Sequence, residues 1–292
     1  MDFYSPLRYP GGKGKIADFL KLLFKKNQLL DGCYVEPYAG GASVALSLLF
    51  NEYADRIIIN DYDRSIYAFW HSVLNETDEL CRLILDTPVT VDEWRRQRAF
   101  QQQKTDLPLL ELGFSTFYQN RTNRSGIIKA GVIGGVNQDG NWKIDARFNK
   151  PDLIKRIKRI ALYRNRIQLY NLDACELIQQ IRGELSPQSL VYLDPPYYVK
   201  GRELYANHYQ HQDHADIARV IATLNECHWL VSYDNHAVIS ELYDNFRQHI
   251  YTLNYHAAKP NQGEEIMVFS NELNVPTLFD NLNRTAQLSM EF

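Results

Sequence analysis

The chain has 292 residues, 45% hydrophobic and 23% charged, with a formal net charge of −3. Apolar content this high can offset the entropy of ordering, which excludes disorder over the bulk of the chain; a collagen-like or disulfide-stapled scaffold is excluded too. The cysteines Cys33, Cys81, Cys175 and Cys227 lie too far apart for local metal or redox pairs, and read as isolated buried thiols in a reducing compartment. The N-terminus has no basic region leading into an apolar run, and nowhere do eighteen apolar residues follow one another, so a soluble, cytoplasmic protein is expected.

Taken in chain order, Ile16 to Lys25 places Ile16, Phe19, Leu20, Leu23 and Phe24 at helical spacing. Cys33 to Glu36 is a short strand ending at Pro37. The turn Tyr38-Ala-Gly40-Gly41-Ala follows, and Ser43 is placed to cap a helix over Val44 to Phe50. Arg56 to Asn60 is a buried strand that delivers Asp61 at its C-terminal end. This strand, glycine turn, helix, strand and acid form the opening of a nucleotide-binding α/β sheet.

From Asp78 to Leu112 the pattern turns helical and polar. Gly131 to Ile144 alternates around Asn137-Gln-Asp139-Gly140-Asn and predicts a β-hairpin. Asp152 to Arg166 reads as a helix with a basic face. Strand–helix alternation then resumes with Ile167 to Tyr170, Ala174 to Arg182 and Ser189 to Leu193, followed by Trp229 to Ser232 and Ile266 to Phe269. The expected organisation is one α/β domain built from residues 1–74 and 166–292, interrupted by a mostly helical insertion over 75–165. The polar tail after Asn271 is expected to be partly disordered.

The net charge hides an asymmetry. Between Gln119 and Arg166 twelve Lys or Arg face only Asp139, Asp145 and Asp152, a local charge of +9 that leaves −12 on the remainder. A basic island on an acidic body suits a polyanion binder, because each phosphate contact releases counterions.

Three segments carry candidate chemistry. In Ser5-Pro-Leu-Arg-Tyr9-Pro-Gly11-Gly12-Lys13-Gly14-Lys15 the phosphate-loop spacing is absent, but Tyr9 offers a stacking face and Lys13 a charge for a carboxylate. In Glu36-Pro-Tyr38-Ala-Gly40-Gly41 the turn sits at a strand's C-terminal end, and Asp61 follows Gly40 by 21 residues, a spacing suited to a carboxylate accepting from ribose hydroxyls. The pyrophosphate glycine signature is missing, so a nucleoside without a pyrophosphate fits better than NAD. In Val191-Tyr-Leu193-Asp194-Pro195-Pro196-Tyr197-Tyr198 two prolines remove two N–H donors and leave carbonyls to point into a cleft. Asp194 adds acceptors and Tyr197 a flat face, the parts needed to hold an exocyclic amino group on a planar base. His208, His211 and His214 lack ligand spacing and read as a polar loop near the mouth of the site.

The trio Tyr9-Pro-Gly-Gly-Lys13, Glu36-Pro-Tyr-Ala-Gly40-Gly and Asp194-Pro-Pro-Tyr197 resembles the Dam-type adenine-N6 DNA methyltransferases. The likeness extends to Asn60-Asp61 and to Phe117-Tyr-Gln-Asn120-Arg121-Thr-Asn-Arg124-Ser-Gly126, and so covers nearly the whole chain. One departure is Ala42, which stands where some members have a second motif glycine. The resemblance implies a Rossmann-like, S-adenosylmethionine-dependent methyltransferase sheet carrying an inserted target-recognition domain, mostly helical with a β-hairpin. It implies transfer of the methyl group to N6 of adenine in double-stranded DNA, with base flipping and without a metal.

By match, Tyr9, Lys13, Asp61 and Asp194 would contact the methyl donor, Glu36, Tyr38 and Gly40 would floor its pocket, and Asp173 would meet its adenine. The tetrapeptide Asp194, Pro195, Pro196, Tyr197 would be catalytic: Asp194 and the Pro195 carbonyl accept the N6 hydrogens while Tyr197 stacks on the flipped base. Asn120, Arg121 and Arg124, with the hairpin around Asn137 to Asn141, are the candidates for DNA contact. The expected bearer is a bacterial or phage-encoded enzyme, nucleoid-associated when bound, monomeric or dimeric on DNA. The competing readings are methylation of cytosine N4 or of a protein glutamine, a catalytically inactive DNA-binding regulator, and, third, a NAD-dependent enzyme.

Overall fold

The computed structural model describes residues 4–8, 13–199, 209–256 and 260–276. Seven strands, β1 (Gly32–Glu36), β2 (Ala54–Asn60), β3 (Ile167–Tyr170), β4 (Leu190–Leu193), β5 (His228–Asp234), β6 (Arg247–His256) and β7 (Pro260–Phe269), form one sheet in the order β3-β2-β1-β4-β5-β7-β6. The first five run parallel, and β7 enters antiparallel between β5 and β6. The order reverses between β1 and β4, which opens a crevice at their carboxyl ends where such sheets bind ligands.

A parallel sheet buries both faces, so its strands read as continuous apolar runs rather than alternating ones. In β2, Ile57 and Ile59 enter one apolar layer while Ile58 enters the other; in β4, Leu190 and Tyr192 part from Val191 and Leu193 in the same way. One layer is closed by α1 (Lys13–Lys26), α2 (Ser43–Phe50) and α3 (Arg64–Asn75), the other by α8 (Ala174–Ile181), α9 (His211–Ala222) and α10 (Ala237–Leu242). Among the described residues no helix is long and apolar enough to cross a membrane.

The segment between α3 and β3 is helical, as expected: α4 (Thr77–Asp86), α5 (Val91–Gln102), α6 (Leu109–Thr122) and α7 (Lys150–Ala161). It shares its apolar core with the sheet layer, with Phe117 of α6 stacked on Phe69 of α3 at 5.9 Å. The hairpin expected over 131–144 does not form. Gly134, Gly135 and Gln138 take left-handed backbone angles and coil the chain, and the Gln138 amide supplies the bonds a ladder would have made. It donates to the Ile133 and Gly135 carbonyls (2.8 and 2.6 Å) and accepts from the Ile144 N–H at 2.8 Å. Only Val132 pairs strand-like, as a single bridge to Asn123.

Three smaller expectations are also corrected. Ser43 does not cap α2; the cap is Ala42, at φ 46°, with no side-chain bond. His214 lies in no polar loop but is buried on α9, 1% exposed, its Nδ1 3.1 Å from the Tyr233 hydroxyl. Cys33, Cys81 and Cys227 are buried free thiols, whereas Cys175 is partly exposed. His208 and most of the tail after Asn271 lie outside the described residues.

Candidate active site

The parallel strands end together at the crevice, and each end contributes an acid or a turn. Glu36, the last residue of β1, is 1% exposed, and its Oε2 accepts from the Ala45 N–H of α2 at 3.3 Å. The chain then turns through Gly40 at φ 47°, a left-handed angle that costs glycine little. Asp61, just past β2, locks this turn: its Oδ2 accepts from the Gly40 N–H and its Oδ1 from the Asp63 N–H, both at 2.9 Å. Trp70 of α3 donates its indole N–H to the Gly40 carbonyl at 2.9 Å. The turn is thus held from both sides before any ligand arrives.

Asn60 holds the three strand ends in register. Its amide donates to the Pro37 carbonyl (2.8 Å) and the Leu172 carbonyl (3.0 Å), and its oxygen accepts from the Leu172 N–H at 2.9 Å. Asp173 follows at once and caps α8 by accepting from the Cys175 N–H at 2.8 Å. Tyr38 is half-buried, and its hydroxyl meets that of Tyr209 at 2.8 Å.

Asp194 leaves the end of β4 9% exposed and accepts from the Ser232 hydroxyl at 2.9 Å, which in turn meets the Tyr192 hydroxyl at 2.9 Å. Pro195 is buried and Pro196 and Tyr197 half-buried in the turn that follows. The Tyr197 hydroxyl donates to Glu265 Oε1 at 2.6 Å. Burial, then nearby carboxylates including Asp194, pushes the Tyr192 phenol well above its ordinary range, and burial likewise raises Tyr34 and Tyr251. All three phenols stay protonated, and those of Tyr192 and Tyr251 serve as donors, to Ser232 and Glu265.

The site therefore gathers Glu36, Tyr38, Gly40, Asp61, Asp173 and Asp194 along one row of strand ends, with Pro195 to Tyr197 closing it at the switch point. Tyr9 lies outside the described residues, and of Lys13 only the backbone is described, as the first residue of α1. Among the described residues no group of three or more His, Cys, Asp or Glu is placed to hold a metal ion.

The structure does not bring Asn120 and Arg121 to the surface. Asn120, 1% exposed, brackets Arg8: its Oδ1 accepts from the Arg8 N–H and its amide donates to the Arg8 carbonyl, both at 2.7 Å. The Arg121 Nε donates to the Pro6 carbonyl at 2.6 Å, and burial first, then Arg156, Arg8 and Arg147, lowers its pKa to about 9. Both side chains thus pin the segment leading to Tyr9. Gly126 is needed for that approach, since a Cβ there would stand 2.6 Å from the Arg8 carbonyl oxygen. Arg124 is exposed, as are Lys143, Arg147 and Trp142, and the Arg147 guanidinium lies over the Trp142 ring at 5.7 Å.

Sequence reasoning overlooked Ser232, Asp234, Tyr251 and Glu265. The signal available was two acids, Glu264 and Glu265, immediately before the apolar run Ile266 to Phe269, where a buried strand should have excluded them.

Residues 9–257 match the model of the D12 class N6 adenine-specific DNA methyltransferases. The chain is 23% identical to the DNA adenine methylase of Escherichia coli over 84% of its own length and 85% of that protein's. It is also 23% identical to the Type II methyltransferase M.MjaIII of Methanocaldococcus jannaschii over 65% of this chain and 68% of that one. A solved structure of a putative RNA methyltransferase from Pyrococcus horikoshii aligns over 93% of this chain and 89% of that one, at 9% identity and a TM-score of 0.41. Motif order, crevice and family match converge, and the chain belongs to the D12 class of N6 adenine-specific DNA methyltransferases.

Proposed function

We propose that this protein methylates adenine in duplex DNA after extruding the base into the crevice beside Asp194, at a cost of a few kcal/mol. The methyl donor of this enzyme is S-adenosylmethionine, which when bound supplies an electrophilic methyl group. The donor set fits that cation: Asp61, Asp173 and Asp194 line the strand ends with carboxylates suited to a sulfonium and to hydroxyl donors. Asp61 and the locked Gly40 turn would hold the donor's ribose side, Glu36 and Tyr38 the pocket floor, and Asp173 the far end. Tyr9 and Lys13, by motif, would close it.

Adenine N6 is a poor nucleophile because its lone pair is delocalised into the ring. In this reading Asp194 and the Pro195 carbonyl accept the two N6 hydrogens, pyramidalise the nitrogen and turn its lone pair towards the methyl group. The Asp194 carboxylate would stabilise the positive charge that N6 gains on methylation. The surplus N6 proton would then pass to solvent water. Tyr197 stacks on the flipped ring.

The single observation that carries this reading is Asp194, buried and oriented by Ser232 at the end of β4, beside the turn locked by Asp61. Residues 75–165 would form the target-recognition insertion, with Arg124 and the Trp142–Arg147 pair facing DNA. Long-read detection of modified adenines in DNA from cells expressing the protein tests it, with Asp194→Ala as the partner measurement. The wild type should leave N6-methyladenine at a defined site and the variant none. A variant that still methylates adenine overturns the mechanism.

A further inference from the structure

Two buried carboxylates stand opposite each other in the β5–β7 ladder, Asp234 and Glu265, 6% and 1% exposed. Neither belongs to the motifs above, and a buried acid is costly unless it is bonded. Both are bonded to the turn after β4. Glu265 Oε1 accepts from the Tyr197 hydroxyl at 2.6 Å, while its Oε2 accepts from the Tyr251 hydroxyl. Asp234 accepts from the next two backbone N–H groups, Tyr198 at 2.8 Å and Val199 at 3.0 Å.

We propose that Glu265, itself oriented by Tyr251, and Asp234 are positioning residues that hold the Tyr197 ring at both ends as a preset platform for the flipped base. The inference rests on the stacking role assigned to Tyr197. A ring anchored only at Cα samples other rotamers about χ1; with its hydroxyl on Glu265 and the following backbone on Asp234, one orientation remains. The antiparallel entry of β7 makes this arrangement, because it sets Glu265 directly across from Asp234 at the edge of the crevice. Orientation supplied before the base arrives need not be provided at the moment of reaction, and truncating the tether should lower kcat rather than donor affinity.

The test is a double-mutant cycle on the full chain with Tyr197→Phe and Glu265→Ala, reading kcat at saturating DNA and the Kd of S-adenosylmethionine. Alanine is used because a glutamine oxygen would still accept from the Tyr197 hydroxyl. A separate signal is the 19F resonance of 3-fluorotyrosine placed at position 197. Each single variant should lose about ten-fold in kcat with donor affinity within about two-fold, and the double variant should fall no further than the weaker single. The fluorine line should sharpen in the Glu265→Ala protein as the ring is released. Losses that multiply in the double variant, or a fluorine line unchanged by Glu265→Ala, overturn the tether. Should Glu265→Ala fold poorly, Tyr251→Phe loosens Glu265 from the opposite side and must sharpen the same line. A wild type that yields methylcytosine instead of methyladenine defeats the substrate reading alone, since the fluorine signal needs no turnover.

Discussion

Replacing Asn60 by alanine removes a side chain that bonds to the loops after both neighbouring strands. The Pro37 carbonyl, the Leu172 carbonyl and the Leu172 N–H all lose a partner at once. The Pro37 bond is fully buried, and stranding a buried polar group costs roughly 1–3 kcal/mol. The two Leu172 bonds are partly accessible to water, so each costs about 1 kcal/mol. The sum is roughly 3–5 kcal/mol, a large fraction of a domain stability of about 5–15 kcal/mol. In urea, with a slope near 3 kcal/mol/M, the midpoint should drop by about 1–1.7 M at unchanged slope. Because Asn60 also sets the spacing between the Gly40 turn and Asp173, titration calorimetry should show the S-adenosylmethionine Kd rising at least about ten-fold. Asn171→Ala is the control. Its exposed amide donates to the Asp61 and Tyr62 carbonyls, where water can replace it, so it should cost under about 1 kcal/mol. An Asn60→Ala midpoint within about 0.3 M of wild type would refute the reasoning.

Other outcomes follow from the same geometry. Ala42→Gly relieves a left-handed residue and, after the added chain entropy of glycine, should raise stability by about 0.5 kcal/mol, read as a melting shift of about 1–2 °C; a lower Tm would contradict it. Burial, opposed by Asp213 and Asp234 and aided by His211, holds His214 at about 4. Between pH 6.5 and that value the unfolded chain binds a proton the folded chain refuses, so stability should fall as pH falls through this window. A His214→Gln variant should show a shallower decline, and equal slopes would exclude His214 as a source. Arg124→Ala should weaken DNA binding by about ten-fold at low salt and leave the urea midpoint unchanged. Arg121→Ala should instead destabilise the fold by about 2–3 kcal/mol, because the Pro6 carbonyl loses its buried partner. Denaturation and binding isotherms of the two variants would expose a reversal.

What could be read from the chain without coordinates was whatever local spacing encodes. Apolar runs such as Ile57 to Ile59 announce strands, the glycine turn with Asp61 21 residues after Gly40 announces the crevice end of an α/β sheet, and three short motifs in order carry the resemblance to the family. The strand and turn signals survive because neighbours in sequence are neighbours in space, and the motifs because each is short enough to be read whole. The hairpin misreading at Asn137 to Asn141 shows the limit, since glycines that permit a turn also permit the coiled path that Gln138 selects. Asn120 and Arg121 looked like DNA readers because side-chain chemistry alone cannot distinguish a groove from a buried carbonyl; only packing against Pro6 and Arg8 decided it. Glu265 was silent for the same reason. Its partner Tyr197 lies 68 residues away, joined only once β7 slides between β5 and β6, and contacts at that separation depend on which strands pair rather than on anything the local sequence can specify.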